Sequence, residues 1–331
     1  MGDLFTEIFE EILDSLGEPA VREATLVDLR KPLKQLRKDY RGQTRPDFST
    51  ESARLAYTIA YHPYHAHMAL KAFKRYSNYF DFSQERCSMT VFGAGPAPEV
   101  VALTKMLADS HPHVRHLVVD LVDIEPGWEQ TRVLTLDQTI PRWWSGNLKV
   151  RHHSADLATE RGVKRGAHLC ADRNLVITQA FLSELEMGGG DPTIPRFVAS
   201  PQNKYSTFLD RLVQSLGPRT LLLMSDLSAN ASRMSGLQVS IERWETTTPR
   251  APPEFSVLYT WEDGLIERHV LKIMSFLLIG KASVMGDVRV WVNTESGVYH
   301  CPGTQYYGHT KAGAYMTQDE AQRGGYRAAA E

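Results

Sequence analysis

The sequence has few cysteines, no long apolar run and almost no net charge. Its three cysteines, Cys87, Cys170 and Cys301, are widely spaced, which excludes a disulfide framework and a Cys-x-x-Cys metal site. No stretch approaches the roughly eighteen apolar residues of a membrane helix, and the first residues do not resemble a signal peptide. The formal net charge of −2 gives no global basic field for nucleic acid, although a local basic patch is compatible with it. We therefore expect a globular cytoplasmic protein without a membrane segment.

The most informative motif is a glycine loop between two apolar segments. Residues 93–96 read Gly-Ala-Gly-Pro, after the run 90–92 and before the run 100–103. The order strand, tight glycine loop, helix is how an open α/β sheet builds a cofactor site. Pro98 stands where the dinucleotide fingerprint G-x-G-x-x-G would place its third glycine. The motif therefore predicts a nucleoside cofactor and argues against a pyrophosphate.

Four motifs in chain order resemble those of the class I S-adenosylmethionine-dependent methyltransferases. They lie at residues 93–96, 122–123, 154–157 and 174–178, and the resemblance covers about residues 86–280. It implies a Rossmann-like α/β fold with S-adenosylmethionine (SAM) as the cofactor. It also implies an enzyme, a transferase that moves the methyl group of the cofactor to an acceptor by in-line displacement.

The same resemblance suggests which residues hold the cofactor. The glycine loop and the start of the next helix would face the methionine carboxylate. Asp123, preferred over Asp120 and Glu125, would accept the ribose hydroxyls, and Asp156 would accept the adenine amino group unless it is a helix cap. The expected cofactor-binding residues are Gly93, Ala94, Gly95, Pro96, Asp123, Asp156, Leu157, Gln179 and Phe181.

Candidate catalytic residues come from two places, and we expect no metal site. Gln179 and Glu184 follow the fourth predicted strand, where Glu184 is either a general base or an ordinary first-turn helix acid. Tyr61 and His65 share one helix face with Tyr57, so they form either a lid over the cofactor or a packed interface.

The chain divides into three predicted parts. Residues 1–85 form a helical N-terminal subdomain, 86–286 the SAM-binding domain, and 287–331 a small α+β module. Residues 288–331 resemble the metal-binding domain of the Ada DNA-repair protein but lack its cysteine ligands, so their role is open.

Hydrophobic periodicity and capping residues predict the individual elements. Helix is expected over 3–40, and from a cap at 49–52 to about Tyr76 with a kink or break at Pro63. Strands are expected at 89–92, 116–124, 148–152, 174–179 and 219–225, helices at 98–110 and 204–216, and an antiparallel pair at 255–261 and 268–273.

The sequence does not identify the molecule that accepts the methyl group. A small molecule is favoured by the neutral net charge and the aromatic helix face. Ribosomal RNA is the alternative, because the helix over 54–73 resembles the helices before the core of some ribosomal-RNA methyltransferases and because the chain has one basic cluster. Its members are Lys31, Lys34, Arg37, Lys38, Arg41 and Arg45, which otherwise form a solvated helix face. Transfer of the cofactor's aminobutyl arm and a non-catalytic binding scaffold are also open, as are the modified atom and the oligomeric state.

Overall fold

A computed structural model describes residues 4–42, 44–181, 211–212, 215–217, 219–227, 245–247, 254–257, 270–280, 289–301 and 306–329. The chain starts with three helices, α1 (Leu4–Ser15), α2 (Pro19–Gly42) and α3 (Glu51–Arg75). The helix predicted over 3–40 is present as two helices, because the backbone turns at Gly17 with a φ of +105°. None of the helices in these ranges is both long and apolar enough to cross a membrane.

Helix α3 begins as the sequence predicts but is not broken at its proline. Thr50 is the N-cap, and its hydroxyl accepts the Ala53 N–H at 3.3 Å. The helix continues through Pro63, which is buried. Because α3 packs against α1, α2 and α4 (Pro98–Ser110), tertiary contacts hold the helix where local propensity would interrupt it.

The centre of the molecule is an eight-stranded sheet of order β3-β2-β1-β4-β5-β8-β6, with β7 also paired to β8. The strands are β1 (Arg86–Phe92), β2 (His116–Asp123), β3 (Asn147–Ser154), β4 (Leu175–Gln179), β5 (Leu221–Leu227), β6 (Glu245–Thr247), β7 (Glu254–Val257) and β8 (Val270–Gly280). The first five are parallel, and β8 runs antiparallel to β5, β6 and β7. This sheet confirms the predicted Rossmann-like α/β class.

Helices cover both faces of the sheet. Met89, Val91 and Val119 face one hydrophobic core that they share with α1 to α4, whereas Phe92 and Val122 face a second core with α6 (Glu160–Ala167). The chain between β2 and β3 forms α5 (Trp128–Arg132), a π-helical segment (Val133–Gln138) and a 3₁₀ turn (Ile140–Arg142), and another 3₁₀ turn lies at Ser77–Tyr79. The helices of residues 1–85 therefore pack as a layer on the sheet, and the division into three parts stays a prediction.

The described C-terminal residues form a separate four-stranded sheet of order β11-β9-β10-β12. Its elements are β9 (Arg289–Asn293), β10 (Val298–His300), β11 (Ala314–Thr317), α7 (Gln318–Arg323) and β12 (Arg327–Ala328). Thr317 and Glu320 form a capping box at α7. Val290, Val292, Tyr299 and Ala321 build its small core. The resemblance to the Ada module stays a prediction.

Candidate functional site

The glycine loop joins β1 to α4. Three of its residues have positive φ angles, and backbone hydrogen bonds hold it in place. Gly93 and Gly95 have φ angles of +64° and +46°, and Ala97, the N-cap of α4, has a φ of +61°. The N–H groups of Gly93 and Ala94 donate to the Val122 carbonyl at 2.9 and 3.2 Å. These bonds tie the loop to the end of β2, so the carboxyl ends of the two neighbouring strands are held together.

The two glycines are needed for different reasons. A Cβ at Gly93 would lie 2.1 Å from the Phe181 ring, so only glycine lets that ring pack on the loop. A Cβ at Gly95 would have no atom within 4 Å, because this residue faces a cavity. The loop therefore has an open concave side at Gly95 that a ligand can approach closely.

A cavity of about 330 Å³ lies over the carboxyl ends of β1, β2 and β4. This size is at the lower end of the range for small-molecule sites. Its walls come from the glycine loop, the chain after β2, β3 and β4, the segment between α2 and α3, and one aromatic residue of α3. The lining residues are Arg45, Pro46, Asp47, Phe48, Tyr57, Gly93, Gly95, Asp123, Ile124, Glu125, Trp128, Ala155, Leu157, Gln179, Ala180 and Phe181.

Asp123, at the carboxyl end of β2, lines this cavity together with two other acids, Asp47 and Glu125. Its Oδ2 accepts the Gly95 N–H at 2.8 Å, and its Oδ1 accepts the Glu125 N–H at 3.0 Å. Burial raises the pKa of the Asp123 carboxyl, although these two backbone hydrogen bonds and nearby arginines oppose the rise. A carboxylate has about four acceptor positions, so Asp123 can accept two further donors from a ligand.

Two residues between β2 and β3 hold the glycine loop by donating hydrogen bonds to its backbone carbonyls. The buried Arg132 donates through Nε to the Gly95 carbonyl at 2.7 Å, and its Nη1 lies 2.8 Å from His152 Nδ1. The Thr135 hydroxyl donates to the Pro96 carbonyl at 2.7 Å. Burial lowers the pKa of Arg132 to about 10, so it stays charged at neutral pH. The loop is therefore fixed by side chains far away in the sequence.

Glu99, in the first turn of α4, is a buried carboxyl close to this arginine. Its side chain is 3% exposed, and its Oε2 has no hydrogen-bond partner in the described part of the chain. Burial raises the pKa of Glu99 to about 8, while the charge of Arg132 acts in the opposite direction. At neutral pH most of this carboxyl is therefore protonated.

The segment between α2 and α3 is held over the cavity by Arg54. This buried side chain donates to the Phe48 and Ser49 carbonyls at 2.8 and 3.0 Å, and it lies 3.8 Å from Glu125. Glu125 in turn accepts the Gly127 N–H at 2.7 Å. Arg54 thus connects the covering segment to the chain just after β2, which places Phe48 and Trp128 in contact, with ring centroids 5.1 Å apart.

The end of β4 contacts α3 across the site. Gln179 donates through Nε2 to the His65 carbonyl at 2.9 Å and also lines the cavity. Ala180 has a φ of +50°, an uncommon value for a residue with a side chain. Such outliers are typical of functional sites. Glu184 lies outside the residues that the structure describes, so its predicted role as a base stays a prediction.

The structure brings only some of the sequence-predicted residues to the cavity. Those that line it are Gly93, Gly95, Asp123, Leu157, Gln179 and Phe181. Ala94 and Pro96 form the loop but do not line the cavity, and their predicted contact with the cofactor stays untested. Asp156 does not line the cavity either: its Oδ1 accepts the Ala158 N–H at 3.0 Å. Thr159, and not Asp156, is the N-cap of α6.

Tyr61 and His65 lie behind the cavity wall, and Tyr57 reaches it. The Tyr57 ring lines the cavity, with the Tyr61 ring 5.0 Å and the His65 ring 6.4 Å away from it. Burial raises the pKa of Tyr61, and the nearby Arg37 and Arg41 oppose the rise. Among the described residues, no three His, Cys, Asp or Glu side chains are grouped as a metal ion would require.

Sequence reasoning missed several parts of the site. Arg132 and Thr135 give no local signal, because each contacts the loop about forty positions earlier in the chain. The sequence indicates Phe48 only weakly, as a lone aromatic residue in a polar connection between helices, and it does not mark Ala180 as a site residue at all.

No protein-family model matches the chain, and no curated protein matches it. Solved structures of low similarity include a protein from Listeria monocytogenes assigned to the class I SAM-dependent methyltransferases. It is 13% identical, with coverage of 85% of this chain and 89% of that chain and a TM-score of 0.42. A precorrin-6y C5,15-methyltransferase from Geobacter metallireducens is 11% identical, with coverage of 65% and 88% and a TM-score of 0.38. An rRNA methylase from Streptococcus thermophilus is 7% identical, with coverage of 66% and 96% and a TM-score of 0.35. At these values the likeness carries no argument about activity or acceptor.

Proposed function

We propose that the chain is a SAM-dependent methyltransferase whose cofactor binds in the cavity over the glycine loop. The observation that carries the proposal is the position of Asp123. This carboxylate lies at the end of β2 on the cavity floor, is held by the Gly95 N–H, and keeps two acceptor positions for ligand hydroxyls. A ribose diol presents two such donors side by side.

The other cavity residues fit the remaining parts of the cofactor. The open side of Gly95, which a Cβ would fill, and the N-terminus of α4 suit the methionine carboxylate. Ile124 and Leu157 follow β2 and β3 and supply apolar contacts for a purine ring. Tyr57 and Trp128 present aromatic faces that attract a sulfonium cation.

When bound, SAM would supply a methyl group already activated by the positive sulfur. The protein then has to orient an acceptor and exclude water, and positioning of this kind contributes on the order of 7–11 kcal/mol. Gln179, fixed by its hydrogen bond to the His65 carbonyl, borders the place where the acceptor would meet the cofactor. A proton acceptor such as Glu184 is needed only if the acceptor must lose its proton early.

The proposal is tested by calorimetric titration with SAM and S-adenosylhomocysteine, with NAD as the ligand control. We expect micromolar binding of the first two and none of NAD. Asp123→Ala removes acceptors for ribose hydroxyls, and hydrogen bonds to a charged group contribute about 1.5–3 kcal/mol each, so affinity should fall at least tenfold. Asp109→Ala, an exposed acid in a surface ion pair, is the matched control and should bind normally.

The outcomes separate the alternatives. Failure of both SAM and S-adenosylhomocysteine to bind would overturn the proposal, and tight NAD binding would favour a dehydrogenase. A non-catalytic scaffold would bind the cofactor but transfer no group to any acceptor pool. Mass spectrometry of a modified acceptor separates methyl from aminobutyl transfer by the mass added.

A further inference from the structure

A row of aromatic rings extends from the cavity to helix α2. We define this aromatic row as Trp128, Phe48, Tyr57, Tyr61 and Tyr40. Successive ring centroids lie 5.1, 5.2, 5.0 and 5.9 Å apart. The first three rings line the cavity. Trp128 is buried and the other four are half-buried, so each of these four keeps part of its surface accessible.

Three arginines lie along the same side. Arg45 lines the cavity, Arg37 forms a hydrogen bond with the Tyr61 side chain, and the charge of Arg41 also acts on Tyr61. Arg41 and Arg45 are exposed. Neither of these two forms an ion pair with any residue that the structure describes. The Arg41 Nε donates to the Arg37 carbonyl at 3.1 Å, which leaves its two terminal NH2 groups, and the guanidinium of Arg45, to bind an anion from outside.

The neighbouring acids are engaged in local hydrogen bonds. Asp39 accepts from Gln35 Nε2 at 2.7 Å, and Asp47 accepts the Ser49 N–H at 2.9 Å. Glu125 accepts the Gly127 N–H and faces Arg54. The mouth thus combines aromatic surface with two arginines whose charges are not neutralised by contact with these acids.

We infer that the acceptor is a planar aromatic molecule carrying an anionic group, with its ring on the aromatic row and its anion held by Arg41 and Arg45. This inference rests on the proposed methyl transfer. A cavity of about 330 Å³ leaves little room once a cofactor fills it, so the second reactant has to enter from the mouth. Aromatic faces stack on planar rings, and arginine binds carboxylates and phosphates through paired N–H groups.

The test uses protein saturated with S-adenosylhomocysteine and three simple probes. Phenyl phosphate offers ring and anion together, phenol the ring alone, and inorganic phosphate the anion alone. We expect calorimetry to give at least tenfold tighter binding for phenyl phosphate than for either part. The double variant Arg41→Gln/Arg45→Gln should weaken phenyl phosphate at least tenfold. The matched control Lys31→Gln/Lys34→Gln removes two charges from α2, the helix that carries Arg41, and should not weaken this binding.

Two further titrations show whether such an acceptor belongs to an RNA or is a free small molecule. A single-stranded uridine hexanucleotide that binds at least tenfold more tightly than uridine monophosphate, with strong salt dependence, would indicate RNA. Equal binding of the two would indicate a free small molecule. Both results support the inferred chemistry.

Two results would overturn the inference. One is phenyl phosphate binding no better than phenol or phosphate, and the other is unchanged binding in the arginine double variant; either would make the aromatic row a packed interface between α2 and α3. If S-adenosylhomocysteine itself does not bind, the proposed function fails first and the acceptor role with it. Binding of S-adenosylhomocysteine without any preference for phenyl phosphate refutes the acceptor inference alone.

Discussion

Two aspartates on strand β2, three positions apart, have opposite surroundings. Asp120 is fully buried, and side chains surround it: Arg151 at 2.6 Å, Arg173 at 2.6 and 3.0 Å, and His153 at 2.7 Å. Asp123 borders the cavity, and within the described part of the chain it receives hydrogen bonds only from backbone N–H groups. Burial acts to raise the pKa of both, but the side-chain donors bring that of Asp120 below its ordinary value, whereas that of Asp123 stays raised.

The difference separates a structural acid from one suited to bind a ligand. Asp120 is fully buried and has four contacts to side-chain nitrogens, three at Oδ2 and one at Oδ1, so another molecule cannot reach it. Asp123 has used two of its positions, and both of the hydrogen bonds described for it come from backbone N–H groups. An acid at the end of a strand is thus a candidate ligand-binding residue only if its neighbours leave some of its acceptor positions unused.

The largest expected effect comes from removing Asp120. Asp120→Ala leaves Arg151 and Arg173 without their shared acid. Because these arginines are 41% and 17% exposed and stay partly hydrated, we expect the cost to be about 2–3 kcal/mol, below that of a fully buried ion pair. We expect that loss in the free energy of unfolding measured by urea denaturation. Asp123→Ala should lower stability less and reduce cofactor affinity more. A loss for Asp120→Ala no greater than that of the surface control Asp109→Ala would refute the contrast.

A third acid, Glu99, makes the stability of the fold depend on pH and can be compared with Asp120. Glu99 is buried like Asp120 but receives no side-chain cation at hydrogen-bond distance in the described part of the chain, and burial raises its pKa from 4.5 to about 8. Between pH 4.5 and about pH 8 the Glu99 carboxyl keeps its proton in the folded protein but has released it in the unfolded chain. Raising the pH through this window therefore destabilises the fold, by at most about 1.4 kcal/mol per pH unit.

Glu99→Gln should remove this part of the pH dependence. We expect the difference in unfolding free energy between pH 5 and pH 8 to become smaller than in the unmodified protein. Glu51→Gln, at the exposed first turn of α3, is the matched control and should leave the difference unchanged. An equal slope in Glu99→Gln and the unmodified protein would mean that Glu99 stays ionised across the window.

The sequence predicted those parts of the site that depend on local patterns. The strand–loop–helix motif around Gly93 and the acid at the end of β2 both follow from short-range signals, and the structure has them at one cavity. Phe48 and Arg132 could not be assigned in this way, because their contacts with Trp128 and Gly95 join distant parts of the chain. The unbroken α3 at Pro63 has the same cause: packing on both sides outweighs the local preference.

The smallest expected effect comes from removing a hydrogen bond that supports the glycine loop, whose Gly95 N–H donates to Asp123. Thr135→Val keeps the shape of a buried side chain but removes its hydrogen bond to the Pro96 carbonyl. A lost hydrogen bond costs about 1 kcal/mol, so we expect that loss of stability and a weakening of SAM binding by no more than about fivefold. Thr58→Val is the matched control, since the buried Thr58 hydroxyl donates to the Arg54 carbonyl within α3. It should lower stability by a similar amount without changing SAM affinity. Equal effects of the two variants on affinity would show that the Thr135 bond stabilises the fold and does not position the loop for its ligand.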